Sequence, residues 1–211
     1  MHFRRNIRYS KAGFWRALVL MYTHIAKTIS IIFNPLVISP FVFYILIFND
    51  YNISNNLFFL IAVFFSSILP FSSILYFKKI GKISSLEAPI RKQRLELLMM
   101  SSLFNSIAYV LLNYFNASDI VQGLMFCYSI NTAVTWLITR YWKISIHMIG
   151  LGGPFVALFL SGYNNLFFMT LIIILVYFSR IKLKAHNHAQ LIAGTFLAMV
   201  LAYIELRYLF L

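Results

Sequence analysis

The chain has 211 residues, 61% of them hydrophobic and 11% charged, with a net charge of +13 and a mean hydropathy of +0.81. That balance excludes an ordinary soluble globular domain and points to an integral membrane protein. The single cysteine, Cys127, lies in an apolar run, which excludes an internal disulfide and a cysteine-based metal site.

Residues 1–28 are read as a basic N-terminus. Over 12–28, a helix drawn at 100° per residue puts Arg16, Thr23, His24 and Lys27 on one side and Trp15, Leu18 and Ile25 mostly elsewhere. This predicts an amphipathic helix lying in the membrane interface. No small-residue cleavage site follows an uninterrupted apolar core, so a cleaved signal peptide is not expected. Apolar stretches follow at 29–48, 57–77, 97–114, 120–139, 144–162, 166–178 and 189–209. At about 20 residues per crossing they predict six to seven spans, the sixth being the shortest. The expected fold is an all-α polytopic transmembrane bundle, with residues 29–211 forming one domain and no repeat or low-complexity linker.

The 18 Lys and Arg residues set the expected orientation. Six lie at or before Lys27, six between Lys78 and Arg94, two at Arg140 and Lys143 and three at Arg180, Lys182 and Lys184, with Arg207 left over near the end, while the alternate loops 49–56, 115–119 and 163–165 have none. The positive-inside rule then puts the N-terminus and the three basic loops in the cytoplasm, as in a bacterial inner membrane. The excess charge also suits anionic headgroups. Nucleic-acid binding is not expected, because the cations are divided among loops joined by apolar helices.

The same parity puts His147, in Lys-Ile-Ser-Ile-His, and His186 and His188, in the stretch from Ser179 to Gly194, on one membrane face with Arg94. An ionisable cluster at helix ends marks a candidate site. Guanidinium and ammonium groups bind phosphate oxygens, one imidazole can attack phosphorus and a second can protonate the departing oxygen. Phosphoryl transfer uses every part of this set. A metal site fits less well, since His186 and His188 are two apart and the only carboxylates in the three blocks are Glu87 and Glu96. No cofactor is expected. A proton-coupled transporter is set aside, because no span is read as carrying the carboxylate of a relay.

Ser179-Arg180, five residues, His186, three residues and Gln190 resemble the third signature of the type 2 phosphatidic acid phosphatase superfamily, also called haloperoxidase-like: Ser-Arg, five residues, His, three residues, Asp. Ser145-Ile146-His147 resembles its second signature, Pro-Ser-Gly-His. The resemblance covers roughly residues 80–195 and suggests a divergent bacterial branch. It implies a metal-independent lipid phosphatase acting on a phosphate or diphosphate headgroup, with a lipid phosphate or polyprenyl diphosphate as substrate. It further implies His186 as the nucleophile forming a phosphohistidine, His147 as general acid, and Arg180 and Ser145 as phosphate ligands.

The chain departs from the family pattern at several positions. Gln190 replaces the Asp that orients the nucleophile, though at i, i+4 its carbonyl can still accept a hydrogen bond from His186. Ile144 and Ile146 replace Pro and Gly. In the first signature, Lys, six residues, Arg-Pro, Arg94 stands for the Arg, Leu95 replaces the Pro and Glu87 occupies the Lys position. Lys143 or Arg91 is expected to supply the missing cation. The alternative function is a catalytically silent member that binds anionic lipid or a membrane partner through the same basic pocket.

Overall fold

The computed structural model describes the backbone of residues 2–49, 52–163 and 165–211, and side chains from residue 13 onward. Arg4, Arg5, Arg8 and Lys11, counted above in the basic N-terminus, lie outside the described side chains.

Among the described residues the chain is helical and has no strand. The helices are α1 (His2–Ile32), α2 (Pro35–Ile47), α3 (Asn55–Val63), α4 (Leu69–Lys79), α5 (Leu95–Tyr114), α6 (Asp119–Thr139), α7 (Ile146–Leu160), α8 (Leu166–Lys182) and α9 (His188–Glu205). A π turn, Phe64–Ile68, fuses α3 and α4 into one apolar rod. A 3₁₀ turn, Arg91–Arg94, leads into α5, and a second π turn, Leu206–Phe210, prolongs α9.

Four of these helices, Asn55–Lys79, Arg91–Tyr114, Asp119–Thr139 and His188–Phe210, are long and apolar enough to cross a membrane, and the bent pair α1–α2 makes up to five. By length and composition these helices are consistent with a multi-pass membrane protein. At 15 and 17 residues, α7 and α8 fall short of the length expected of a full crossing. No break in the helix marks the expected boundary at residue 28, because α1 runs unbroken to Ile32. The chain breaks instead at Asn34–Pro35 with a bend of 47°. Asn34 caps α2 by accepting from the Leu36 N–H at 3.0 Å, and Pro35 occupies the first turn, where a missing N–H is tolerated. A hydropathy profile misses this break, since Ile31, Ile32 and Phe33 before it are as apolar as Leu36, Val37 and Ile38 beyond it.

Helices in a bilayer gain little from hiding apolar surface from one another, so close approach and hydrogen bonds hold them together. α7 packs along α9 through Gly152, where a Cβ would come within 2.7 Å of the Ala198 Cβ, and through Gly194, where one would come within 3.0 Å of the Ser145 carbonyl oxygen. Across the break, Pro35 fills the space against α7 that a Cβ on Gly150 would occupy. α5 and α6 form an antiparallel hairpin tied by Ser106–Ser129 at 2.6 Å and Asn113–Gln122 at 2.8 Å, and Ser39 bonds Ser66 at 2.7 Å between α2 and the π turn. Outward positions such as Phe41, Phe167, Phe178 and Phe196 stay exposed, as a lipid-facing surface requires.

This packing brings five chain segments to one end of the bundle. They are the last turn of α1, the turn before α5, the start of α7, the end of α8 and the start of α9.

Candidate phosphate-binding site

The turn between α8 and α9 is short. Lys184 adopts a left-handed conformation (φ 51°), and the Ala185 N–H reaches back to the Arg180 carbonyl at 3.1 Å, ending α8 with a compact C-cap. Asn187 then opens α9 with a capping box. Its side chain accepts from the Gln190 N–H at 2.9 Å, and Gln190 Oε1 accepts from the Asn187 N–H at 3.3 Å. The same Oε1 lies 3.0 Å from His186 Nδ1. Because Asn187 identifies that atom as an acceptor, Nδ1 must carry the hydrogen, and the lone pair of His186 resides on Nε2.

His186 is buried and lines a cleft together with Arg94, Arg180, His147 and Glu87. Burial pushes its pKa down to about 3, the hydrogen bond to Gln190 opposes this, and the charges of Arg94, Arg180 and Lys143 lower it further. The imidazole is therefore neutral at physiological pH, as a nucleophile requires.

Arg180 is 2% exposed despite its length and charge. Its Nη1 donates to Ser30 Oγ at 2.6 Å and to Glu87 Oε2 at 3.0 Å, while its buried Nε has no partner. The neighbouring Ser179 donates to the Ala26 carbonyl at 2.6 Å, fixing the end of α8 to α1. Arg94 donates through Nε to the Ala88 carbonyl at 2.7 Å, at a residue whose φ of 41° folds the preceding loop back on itself. The two guanidinium groups also line a neighbouring opening with Lys27, Lys143 and Lys184. Lys143 has its pKa lowered, first by burial and then by Arg94 and Arg180, so these cations are close enough to act on one another.

The structure thus brings together His186, His147, Arg180 and Arg94, with Lys143 at the mouth and Gln190 behind His186. Two expected residues are placed differently. Arg91 donates through Nη1 to the carbonyls of Thr139 and Arg140, capping the end of α6 rather than lining the cleft. Ser145 is fully buried and its Oγ has no partner; its N–H bonds the Gln190 carbonyl at 3.3 Å and joins α7 to α9 below the cleft. His147 reaches the cleft, but its Nε2 lies 3.2 Å from the Ser30 carbonyl oxygen, so that edge of the ring donates to α1. His188 turns away and shares a 2.6 Å hydrogen bond with Tyr177.

Sequence reasoning missed Ser30, which touches both Arg180 and His147 from a helix it had assigned to lipid. A lone serine in Thr-Ile-Ser-Ile-Ile is a weak signal, and only the turn of α1 toward α8 gives it a partner. It also missed the pairing of Glu87 with Arg180. Glu205, inside the predicted span 189–209, corrects the statement that no span carries a carboxylate. It is buried against Cys127 near the far end of α9 with its Oε2 unpaired, away from the cleft. Among the described residues no three His, Cys, Asp or Glu side chains gather in metal-binding geometry.

Comparison with models of known protein families, with curated proteins and with solved structures yields no match, so these side chains alone carry the functional argument.

Proposed function

We propose that the chain is a metal-independent membrane lipid phosphatase of the type 2 phosphatidic acid phosphatase kind, hydrolysing a phosphate monoester or diphosphate headgroup. The observation that carries this reading is the buried neutral His186, its Nδ1–H held by Gln190 and its Nε2 left with a lone pair, in a cleft shared with Arg94 and Arg180. In the proposed reaction His186 Nε2 attacks phosphorus and the bond to the lipid oxygen breaks. That oxygen leaves with a proton from His147, and the two guanidinium groups neutralise the charge on the phosphoryl oxygens. Water then attacks the phosphohistidine, giving its proton to His147 and releasing phosphate. To protonate the leaving oxygen His147 must enter the step as the imidazolium, carrying the transferred proton on Nδ1 while Nε2–H stays on the Ser30 carbonyl.

The proposed topology has seven crossings: α2, the α3–α4 rod, and α5 to α9, with α7 and α8 as short spans. The basic ends lie in the cytoplasm of a bacterial inner membrane, and the exposed amphipathic stretch of α1 from Phe14 to Ile25 lies along the interface. Arg180, Lys182 and Lys184 at one end of α8, against an uncharged loop at the other, support that arrangement.

The second reading, a silent member that binds an anionic lipid or a membrane partner, is favoured by one observation. Glu87 places a carboxylate on Arg180, where a phosphate would bind.

The experiment is phosphate release by the purified protein in mixed micelles, with chelator, from phosphatidate, phosphatidylglycerol phosphate and a polyprenyl diphosphate. His186→Ala should abolish release, because general acid catalysis alone supplies about 10²–10⁴-fold. Release that survives His186→Ala, or that stops with chelator, overturns the mechanism. Folded wild-type protein that binds these lipids without releasing phosphate establishes the silent reading.

A further inference from the structure

Arg180 and His147 both meet a residue that lies outside the signature blocks. Ser30 sits in the last turn of α1 and is buried. Its Oγ accepts from Arg180 Nη1 at 2.6 Å and lies 3.4 Å from His147 Nε2, and its carbonyl oxygen lies 3.2 Å from the same Nε2. One turn earlier on the same face of α1, the Ala26 carbonyl accepts from Ser179 Oγ at 2.6 Å. Two successive turns of α1 therefore receive two successive residues at the end of α8, Ser179 and Arg180.

A guanidinium is planar and its N–H bonds form a rigid fork. Nη1 of Arg180 has two hydrogens with two different acceptors: Ser30 Oγ, buried on the side of α1, and Glu87 Oε2, on a half-exposed side chain that lines the cleft, at 3.0 Å. Fixing the first hydrogen on Ser30 fixes the plane of the group and so directs the second toward the place where a phosphate oxygen would replace Glu87. A ligand that displaces Glu87 leaves Ser30 as the acceptor that still orients Nη1. The Ser30 carbonyl acts on the other partner. With Nε2–H on that oxygen, Nδ1 is the nitrogen of His147 left to carry the transferred proton. A phosphate ligand on α8 and a proton donor on α7 are thereby held in register through one residue of α1.

We propose that Ser30 is a positioning residue for the phosphatase reaction, its hydroxyl setting the plane of Arg180 and its carbonyl setting the tautomer of His147. This inference rests on the phosphatase reading for what those two groups act upon. Ser30 does not line the cleft and touches no substrate; it acts through Arg180 and His147. The lipid tail, Arg94 and Lys143 contribute to ground-state binding without it, whereas the charge on the phosphoryl oxygens is met by a correctly aimed Arg180 as the group passes to His186. Loss of the hydroxyl therefore falls on kcat more than on KM.

The test compares Ser30→Thr with Ser30→Val in the full-length protein, because the two side chains share a shape and differ in the hydroxyl. Both kcat and KM are measured in mixed micelles on whichever of the three lipids named above the wild type turns over fastest, together with orthovanadate affinity and the unfolding midpoint in detergent. Ser30→Thr should exceed Ser30→Val in kcat by at least about tenfold, with KM values within about threefold of each other. Equal kcat values, or a loss carried by KM, overturn the assignment and leave Ser30 as a packing contact. If the added methyl group prevents folding, Ser30→Ala replaces the pair: a kcat at least about tenfold below wild type at unchanged KM supports the proposal, and a smaller loss overturns it. A wild type that binds orthovanadate but releases no phosphate overturns the phosphatase reading alone. Orthovanadate affinity then decides for Ser30, a loss of about tenfold or more in Ser30→Val relative to Ser30→Thr, or in Ser30→Ala relative to wild type where that variant replaces the pair, supporting its hold on Arg180 and a smaller loss overturning it. A wild type that neither releases phosphate nor binds orthovanadate overturns both.

Discussion

The Glu87 carboxylate lies 3.0 Å from the Arg180 guanidinium, joining a buried cation to a half-exposed anion inside the cleft. Glu87 compensates a buried charge that would be expensive to leave unpaired. It also occupies the face of Arg180 on which a phosphate oxygen would bind, so ligand and Glu87 compete. Glu87→Gln should therefore lower the inhibition constant of orthovanadate, a phosphoryl mimic, by roughly three- to tenfold. An unchanged constant, measured by inhibition of phosphate release or by direct binding, refutes the competition.

Neutral His186 makes stability depend on pH. In the unfolded chain its imidazole takes up a proton below about 6.5. In the fold it stays neutral until about pH 3, because of its burial and the neighbouring cations. Between these values the unfolded state binds more protons, so stability is fully present above about 6.5 and declines as the pH falls toward 3. His186→Gln should flatten that decline in detergent unfolding midpoints recorded from pH 7 to pH 4. A wild-type midpoint that rises on acidification contradicts the assignment.

The close contact of α7 and α9 gives a structural prediction. A Cβ on Gly152 would meet the Ala198 Cβ at 2.7 Å, the Met199 nitrogen at 3.2 Å and the Thr195 carbonyl at 3.2 Å, two of them backbone atoms. Gly152→Val must push the helices apart and should destabilise the protein by about 1–3 kcal/mol, the usual range for overpacking. His147 and Gln190 ride on the first turns of these helices, so phosphate release should fall with stability. A Gly153→Ala control, whose Cβ would meet only a Tyr128 ring atom at 3.9 Å, should be mild.

Local signals carried most of what was legible in the sequence. The i, i+4 spacing of His186 and Gln190 and the basic loops at alternate helix ends follow from chain-local periodicity, and the structure gathers those loops into one cleft. Hydropathy is uniform across the break at Asn34–Pro35 and does not show it, although the Asn-Pro pair, an N-cap residue followed by a first-turn proline, was a local signal for it. The pairing of Arg91 with the end of α6, of Ser30 with Arg180 and of Glu87 with Arg180 depends on how distant helices cross. The small residues that set those crossings carry no charge or polarity by which to find them.

The proposed sidedness rests on the basic ends. With cysteine introduced at Asn52 or Lys82 in intact cells, an impermeant thiol reagent should label position 52 and leave position 82 protected. Native Cys127 is buried and should contribute no background. The reverse pattern places the cleft outside.

Gln190 serves two neighbours with one oxygen, and that suggests a substitution that separates its roles. Gln190→Glu keeps the reach and the capping-box chemistry, since Glu and Gln both suit that position of a helix. It replaces a neutral acceptor by a carboxylate 3.0 Å from Nδ1. A negative charge there favours the imidazolium, so the pKa of His186 should rise from its depressed value and the acid limb of kcat/KM should move upward by about one unit or more. Phosphoryl transfer leaves the imidazole cationic, so turnover above that limb should be preserved or increase up to about tenfold. Gln190→Leu keeps the bulk but loses both hydrogen bonds; with the tautomer of His186 no longer fixed, turnover should fall by at least roughly a hundredfold. A pH profile of Gln190→Glu that overlies the wild type would mean that His186 is not the group whose protonation limits the reaction, and the nucleophile would have to be sought elsewhere in the cleft.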